Sequence, residues 1–413
     1  MTNANEEEKG LLENENVRMI IKEGDSTNNE ETIKAIIPKG FYYVTGKPST
    51  GLVISDKIGD DDNNSQGGNQ FVWVPCNGNS GITYERTKDE STKFGLALQW
   101  EDTDKQYMYN DYTDWTDYGG AKYGDTIDST DSVQKYGGFY VARFEAGVPE
   151  NAGFYANSNG DSYQINKNDT KLKPVSKKNN QCWNYINQFN AKIVSQNMYE
   201  NSSAVSSQLI DSFAWDTIIS WLKQDDANIG KDSTTYGNYQ NSSGIIKDTL
   251  YSIHKYIEQK DQNKWINYNP GKKYYKGNIN LGRKILSEED EKKYEFYTSD
   301  IEYDFEKYYH YALIEIATGN YKSEDKDSKS NIKNIYDMAG NMWEWTTEVG
   351  NHSTSETKIL QENINKATCA VIRGGGFDSK GFDFSVAFRN GSYSSNSSNY
   401  NVGFRVVLYL NCI

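Results

Sequence analysis

A chain of 413 residues has room for one large domain or two ordinary ones. Hydrophobic residues make up only 36%, yet aromatics reach 14%, with 32 Tyr and 9 Trp, which favours a loop-rich, β-containing protein cored by large rings over a helical bundle. A formal net charge of −14 without a basic stripe argues against nucleic acid and anionic membrane surfaces as partners, and no apolar run approaches the roughly 20 residues that span a bilayer.

Residues 1–35 are charge-dense with one apolar cluster, Val17 to Ile21, and lack the apolar stretch of a secretory signal. They are expected to form a polar leader or tether, with a single domain over 36–413. IIPKGFYYVTG (36–46) opens the ordered part, and GLVISD (51–56) and QFVWVPC (70–76) have strand composition. The acidic GDDDNNSQGGN between these two is read as a solvated hairpin tip, not a calcium loop. Residues 77–135 show no sustained period and form a surface insertion. YGGFYVARFEAG (136–147) returns to strand character. Cys182, Ile186, Phe189 and Ile193 space as one helical face, and Trp215, Ile218, Ile219 and Leu222 as another, the second running from about Ser212 to Leu222 with Asp211 or Ser212 as cap. A second insertion, about 225–310, offers a helix through Ile246, Leu250, Ile253 and Ile257 and a capping box at Ser287 and Asp290 for a charged one. Cys76, Cys182, Cys369 and Cys412 form no CxxC pair and are expected to be separate buried thiols.

Near the C-terminus come NIYDMAGNMWEW (334–345), IRGGGF (372–377), AFRNGS (387–392) and GFRVVL (403–408). Together they resemble the C-terminal half of a formylglycine-generating enzyme (sulfatase-modifying factor) domain, a variant of the C-type lectin fold. The resemblance implies an α+β, loop-rich fold with two core helices. FYVARFE is similar to that family's FYxxxYEVT strand and places Glu145 at its glutamate, read as a carboxylate holding a turn or an arginine. SQLIDSFAWDTII partly matches RLPTEAEWEYA at Leu209, Trp215 and Asp216, without the Pro and Arg.

Formylglycine generation needs a cysteine pair that binds copper, located between the RGG motif and the next arginine strand. Here that interval is GGGFDSKGFDFSVAFR, without a cysteine. Thiolates are what make a copper(I) site, so no redox cofactor is expected. The related iron sulfoxide synthases need three converging histidines, and His254, His310 and His352 match none of those positions. The resemblance also implies a structural calcium at Asn341 and Glu344, with the Gly340 and Met342 carbonyls as further oxygen ligands. The alternative is that Asn341 only shapes the turn while Trp343 and Trp345 pack into the core.

Three strand-like pieces, AVIRGG, SVAFR and NVGFRVVLYL, bracket two loops. Val402, Phe404, Val406, Leu408 and Leu410 alternate onto one face, and Arg373, Arg389 and Arg405 are expected to bond loop carbonyls or carboxylates. The loops supply the candidate ligand-binding residues Phe377, Asp378, Ser379, Phe382, Asp383, Phe384, Asn390, Ser392, Tyr393, Ser394, Asn396, Ser398, Asn399, Tyr400 and Asn401. Rings for area beside small polar groups are the vocabulary of a paratope. Residues 377–401 contain no Glu, Gln, Trp or Met and a single Lys. Randomised adenines in AAC or AAT codons cannot encode those five types. The segment therefore resembles the variable region of diversity-generating retroelement proteins, C-type lectin-fold binders found on phage and cell surfaces. This implies a non-catalytic protein that binds a protein or glycan receptor on another cell or particle, located extracellularly, on the cell surface or on a virion. A pilin-like or virion structural subunit, or a metal-dependent oxidase, are the alternatives.

Overall fold

The computed structural model describes residues 11, 14–23, 32–85, 109–111, 129–150, 152, 171–260, 264–269, 274–281, 284–294, 305–321, 329, 331–350, 369–393 and 395–412. They form an α+β fold with few helices and many strands. At its centre is a six-stranded antiparallel sheet in the order Tyr42–Thr45, Val53–Ser55, Gln70–Pro75, Gly138–Ala142, Val406–Leu410, Val205–Leu209. Its β-branched and aromatic residues suit a pleated, packed surface. The expected strands at 51–56, 70–76 and 136–147 all fall in it.

The alternation along 402–410 holds. Val406, Leu408 and Leu410 pack with Trp73 and Tyr140 on one side of the sheet. Val407 and Tyr409, between them, are equally buried, against Trp215 and Ile218 on the other side. Trp215 and Ile218 belong to the helix Ser212–Leu222, which forms as read: Asp211 caps it by accepting from the Ala214 amide at 2.7 Å, and Trp215, Ile218, Ile219 and Leu222 are buried. Such a cap stabilises a helix by about 1 kcal/mol. Asp211 also accepts from the Tyr409 hydroxyl at 2.9 Å, tying the helix start to the final strand.

A second sheet carries the C-terminal motifs, in the order Asn390–Tyr393, Cys369–Arg373, Trp343–Gly350, Val402–Phe404, with Tyr109–Asp111 also on Trp343–Gly350. Trp343–Trp345 run parallel to Val402–Phe404, so the WEW motif and the GFR motif are adjacent strands. SVAFR (385–389) is a turn, not a strand; the strand begins at Asn390.

Four expectations need correction. The first helix is Gln188–Asn197, capped by Asn187, and excludes Cys182 and Ile186; Tyr185, at φ 53°, breaks the chain before it. The segment through Ile246, Leu250, Ile253 and Ile257 is a 15-residue strand, Ile245–Gln259, central to an inserted sheet with Lys264–Asn269, Tyr274–Asn280 and Tyr308–Ile316. The polar leader is not wholly outside the core, since Val17–Glu23 pairs with Ile33–Pro38, and Leu11 and Val17 are buried. Cys412 is exposed and Cys76 half-buried, while Cys182 is buried; the Cys369 side chain lies outside the described residues.

The rest of the reading meets simpler outcomes. The capping box at Ser287 and Asp290 opens the helix Glu288–Lys293. Most of 77–135 lies outside the described residues, but the helix Thr130–Tyr136 at its end buries Val133 and Tyr136. The acidic loop is a hairpin connection whose Asp60 is consumed internally, accepting from Ser55 Oγ and Asn64 Nδ2, both at 2.9 Å. Among the described residues no helix is long and apolar enough to cross a membrane.

Candidate functional site

Three arginines anchor the sheet beneath the two loops, bonded as the sequence suggested. Arg405 meets Glu344 through Nε, at 3.1 and 3.0 Å from its two oxygens, and through Nη2 at 2.6 Å; it also donates to the Ala142 and Asp337 carbonyls. Arg373 donates to Asp216 at 3.0 Å and to the Phe388 carbonyl at 3.1 Å. Arg389 binds the other oxygen of Asp216, and its Nε lies 3.2 Å from Glu348. Asp216 and Glu348 thus close a buried network of two guanidiniums and two carboxylates. Asp216 came to notice in the sequence only through a partial motif match, and Glu348 through nothing; a long-range pairing leaves no local period.

The turn before the WEW strand is held by Glu145, whose carboxylate accepts from the Met342 amide at 2.9 Å and from Asn341 Nδ2 at 2.7 Å. This is the turn-holding role read for it. Burial drives the Glu145 carboxyl well above its usual range, with the neighbouring Asp337 and Glu344 charges adding to the effect.

Asn341 and Glu344 do not fit a calcium ion in this arrangement. Asn341 Oδ1 already accepts from the Ile316 amide and from Asn238, and both oxygens of Glu344 are taken by Arg405. A cation there would have to displace a guanidinium. Asn341, at φ 61°, shapes the turn, and Trp343 and Trp345 are buried. Among the described residues no group of three His, Cys, Asp or Glu side chains is placed to hold a metal ion.

Asp337 lies in the same pocket of charge. Burial raises its carboxyl to about 6, against hydrogen bonding from the Gly319 amide and attraction to Arg405. A carboxyl with a raised folded-state pKa favours the folded chain while protonated. Its contribution is therefore lost as pH climbs from about 4 to about 6. Asp337→Asn, which keeps an oxygen for Gly319, is expected to be more stable than wild type at pH 7 by roughly 3 kcal/mol. The gain should vanish near pH 4, as read from urea denaturation of both proteins across that range.

The loops divide into a buried base and an exposed tip. Of the candidate ligand contacts, Phe377, Ser379 and Asn401 are buried. Phe377 packs with Cys182, Leu313 and Met342, its ring 4.7 Å from that of His254 on the inserted strand. Ser379 accepts from the Trp343 indole at 3.2 Å. Asp378 is engaged internally by Tyr400 and Asn401. Phe384 is half-buried against Trp343 and Phe388, and Tyr393 lies edge-on to Trp345. Asn390, Asn399 and Tyr400 are half-buried, while Phe382, Asp383, Asn396 and Ser398 are exposed. Ser394 and the Ser392 side chain lie outside the described residues.

Sequence reasoning missed the brace under the first loop. The Gln240 amide donates to the Ser379 carbonyl, the Ser233 amide to the Gly381 carbonyl, and the Gly381 amide to Asn241 Oδ1, at 2.9–3.1 Å. A Cβ on Gly381 would stand 2.3 Å from the Thr234 nitrogen, so only glycine allows this approach. The inserted sheet, read as packed to one side, supplies His254 and Tyr256 behind Phe377 and Tyr400.

The mix of few helices and many strands is consistent with a formylglycine-generating-enzyme-like, C-type-lectin-like fold. A family model described as the sulfatase-modifying factor enzyme 1-like domain matches residues 269–410, about a third of the chain, and supports an affiliation with that family. A search of curated proteins finds no match.

Proposed function

We propose that the chain is a non-catalytic binding protein that presents the loops of 377–401 to a protein or glycan receptor on another cell or particle, from an extracellular, cell-surface or virion location. The observation that carries this reading is Phe382. It is 43% exposed at the tip of a loop whose base is bonded to residues 233–241. A large ring held out on a fixed base gives area for a partner, and rigid scaffolds with variable tips are where binding residues concentrate. Asp383, Asn396 and Ser398 add exposed polar groups from both loops.

Chemistry of the oxidase kind finds little support in the residues. The interval that carries the family's copper cysteines has none. His254 pairs across the sheet with Leu313, and His310 with Ile257, registers of opposite parity that put the two imidazoles on opposite faces. Each is bonded elsewhere, His254 to Glu315 at 3.2 Å and His310 to Glu291 at 2.7 Å.

The test is selection from a random peptide display library and a glycan array, probed with wild type and with the double variant Phe382→Ala, Asp383→Ala. Ligands retained by wild type should be lost by the variant while its melting temperature stays put, because exposed substitutions change stability by no more than about 0.5 kcal/mol. Tight stoichiometric copper(I) or iron(II) binding, with oxygen consumed in the presence of a thiol peptide, would overturn the proposal.

A further inference from the structure

We infer that Asp378 is a positioning residue, which locks the two loops of the candidate recognition face to each other and to the WEW strand without itself touching a partner. This rests on the reading of 377–401 as a recognition face. Asp378 Oδ2 accepts from the Tyr400 hydroxyl at 2.7 Å and from Asn401 Nδ2 at 2.8 Å, both in the second loop. Its Oδ1 accepts from the Ser379 hydroxyl at 3.2 Å, and Ser379 in turn accepts from the Trp343 indole. One carboxylate thus joins loop one, loop two and the core strand. The junction sits where it matters for register, since the Trp343 amide donates to the Asn401 carbonyl and Val402 starts the strand beside Trp343.

A second observation points to the same role. A Cβ on Gly376 would lie 2.8 Å from Trp343 Cδ1 and 3.0 Å from Asp378 Oδ1. The seat of Asp378 against the tryptophan therefore requires a residue without a side chain two positions earlier. The inserted sheet backs the arrangement: the His254 ring lies 4.7 Å from Phe377 and 5.4 Å from Tyr400. If the exposed tips of these loops change from one protein to the next, position 378 must stay fixed, as must Gly381.

Protonation gives the role a signature that plain packing lacks. A carboxyl whose pKa is raised in the closed loops favours closure while protonated, so the lock should loosen as Asp378 loses its proton. Burial holds this carboxyl above its ordinary range, against the three hydrogen bonds it accepts. Among the described residues, the other titratable groups around it are the Tyr400, Tyr393 and Tyr256 phenols, the His254–Glu315 pair behind Tyr400, and Lys380, whose ammonium lies over the Phe382 ring.

Hydrogen exchange of the full chain, read by mass spectrometry between pH 4.5 and 8 as protection factors, tests the inference without any ligand. Asp378→Ala should lower protection across 395–402 at least tenfold while the helix Ser212–Leu222 keeps its wild-type protection. Wild type should gain protection in 395–402 as pH falls, and Asp378→Asn should show a flat profile there. The isosteric Asn variant decides the matter even where the Ala variant does not fold. Protection in 395–402 within twofold of wild type for Asp378→Ala, or a wild-type pH profile in Asp378→Asn, would overturn it. Because no partner is involved, failure to find a receptor would leave this result standing, and the reverse also holds.

Discussion

Arg405→Ala is expected to destabilise the fold by on the order of 3–5 kcal/mol. The side chain is fully buried and makes three bonds to Glu344, besides satisfying the Ala142 and Asp337 carbonyls. Without it, Glu344 would be an unpaired buried carboxylate close to Asp337, and burial already lifts its carboxyl above the usual range. Lysine would not substitute, because a point charge cannot reproduce the planar fork. Urea denaturation should show the midpoint falling for Arg405→Ala and for Arg405→Lys. A loss below about 1 kcal/mol in either would mean that water reaches Glu344, and that the sheet beneath the loops is less closed than described.

Truncating Trp345 to Ala should cost about 3–5 kcal/mol as well, by a different route: a cavity, not a stranded charge. Trp345 is wholly buried, donates from its indole to the Ile186 carbonyl at 2.8 Å, and lies 6.1 Å edge-on from Tyr393. The contrast with Phe382 is what matters. If the tip is a site and the strand is scaffold, Phe382→Ala should leave the midpoint within about 0.5 kcal/mol of wild type. Phe384→Ala should fall between the two, losing at least about 1 kcal/mol from its contacts with Trp343 and Phe388. Equal losses at 345 and 382 would make the loop part of the core.

Much of this was written locally in the sequence. The helix at 212–222 declares itself through its cap and stripe, and the strand at 402–410 through alternation, because each pattern arises from one element against one surface. The failure at 246–257 is equally instructive. Ile246, Leu250, Ile253 and Ile257 fit a helical period, yet the segment is a strand. A register shift near the left-handed Asp248 moves the side facing the inserted sheet's apolar cluster from even to odd positions, so Ile246 and then Tyr251 and Ile253 join it. A strand with such an irregularity imitates a helical spacing. Its run of Tyr, Ile and Thr was the better guide.

The site was less legible than the fold. The composition of 377–401 marked the right loops, but composition cannot separate Phe377, which fills the core, from Phe382, which leaves it. That distinction depends on His254 and residues 233–241, contributed from more than a hundred positions away. A separation of 157 positions hid Arg373 from Asp216, and one of 41 hid Arg389 from Glu348. Glycine at 376 and 381 was the visible trace of these close approaches, and it could have been read as such.

If the tip is a recognition site and the frame a scaffold, evolution should treat the two differently. Codons 369–410 should be sequenced from many genomes that carry this gene. Substitutions should gather at 382, 383, 396 and 398, arising at adenines, while Arg373, Gly376, Asp378, Arg389 and Arg405 stay unchanged. Replacements scattered evenly over tip and frame, or a tip as constant as the arginines, would contradict that division.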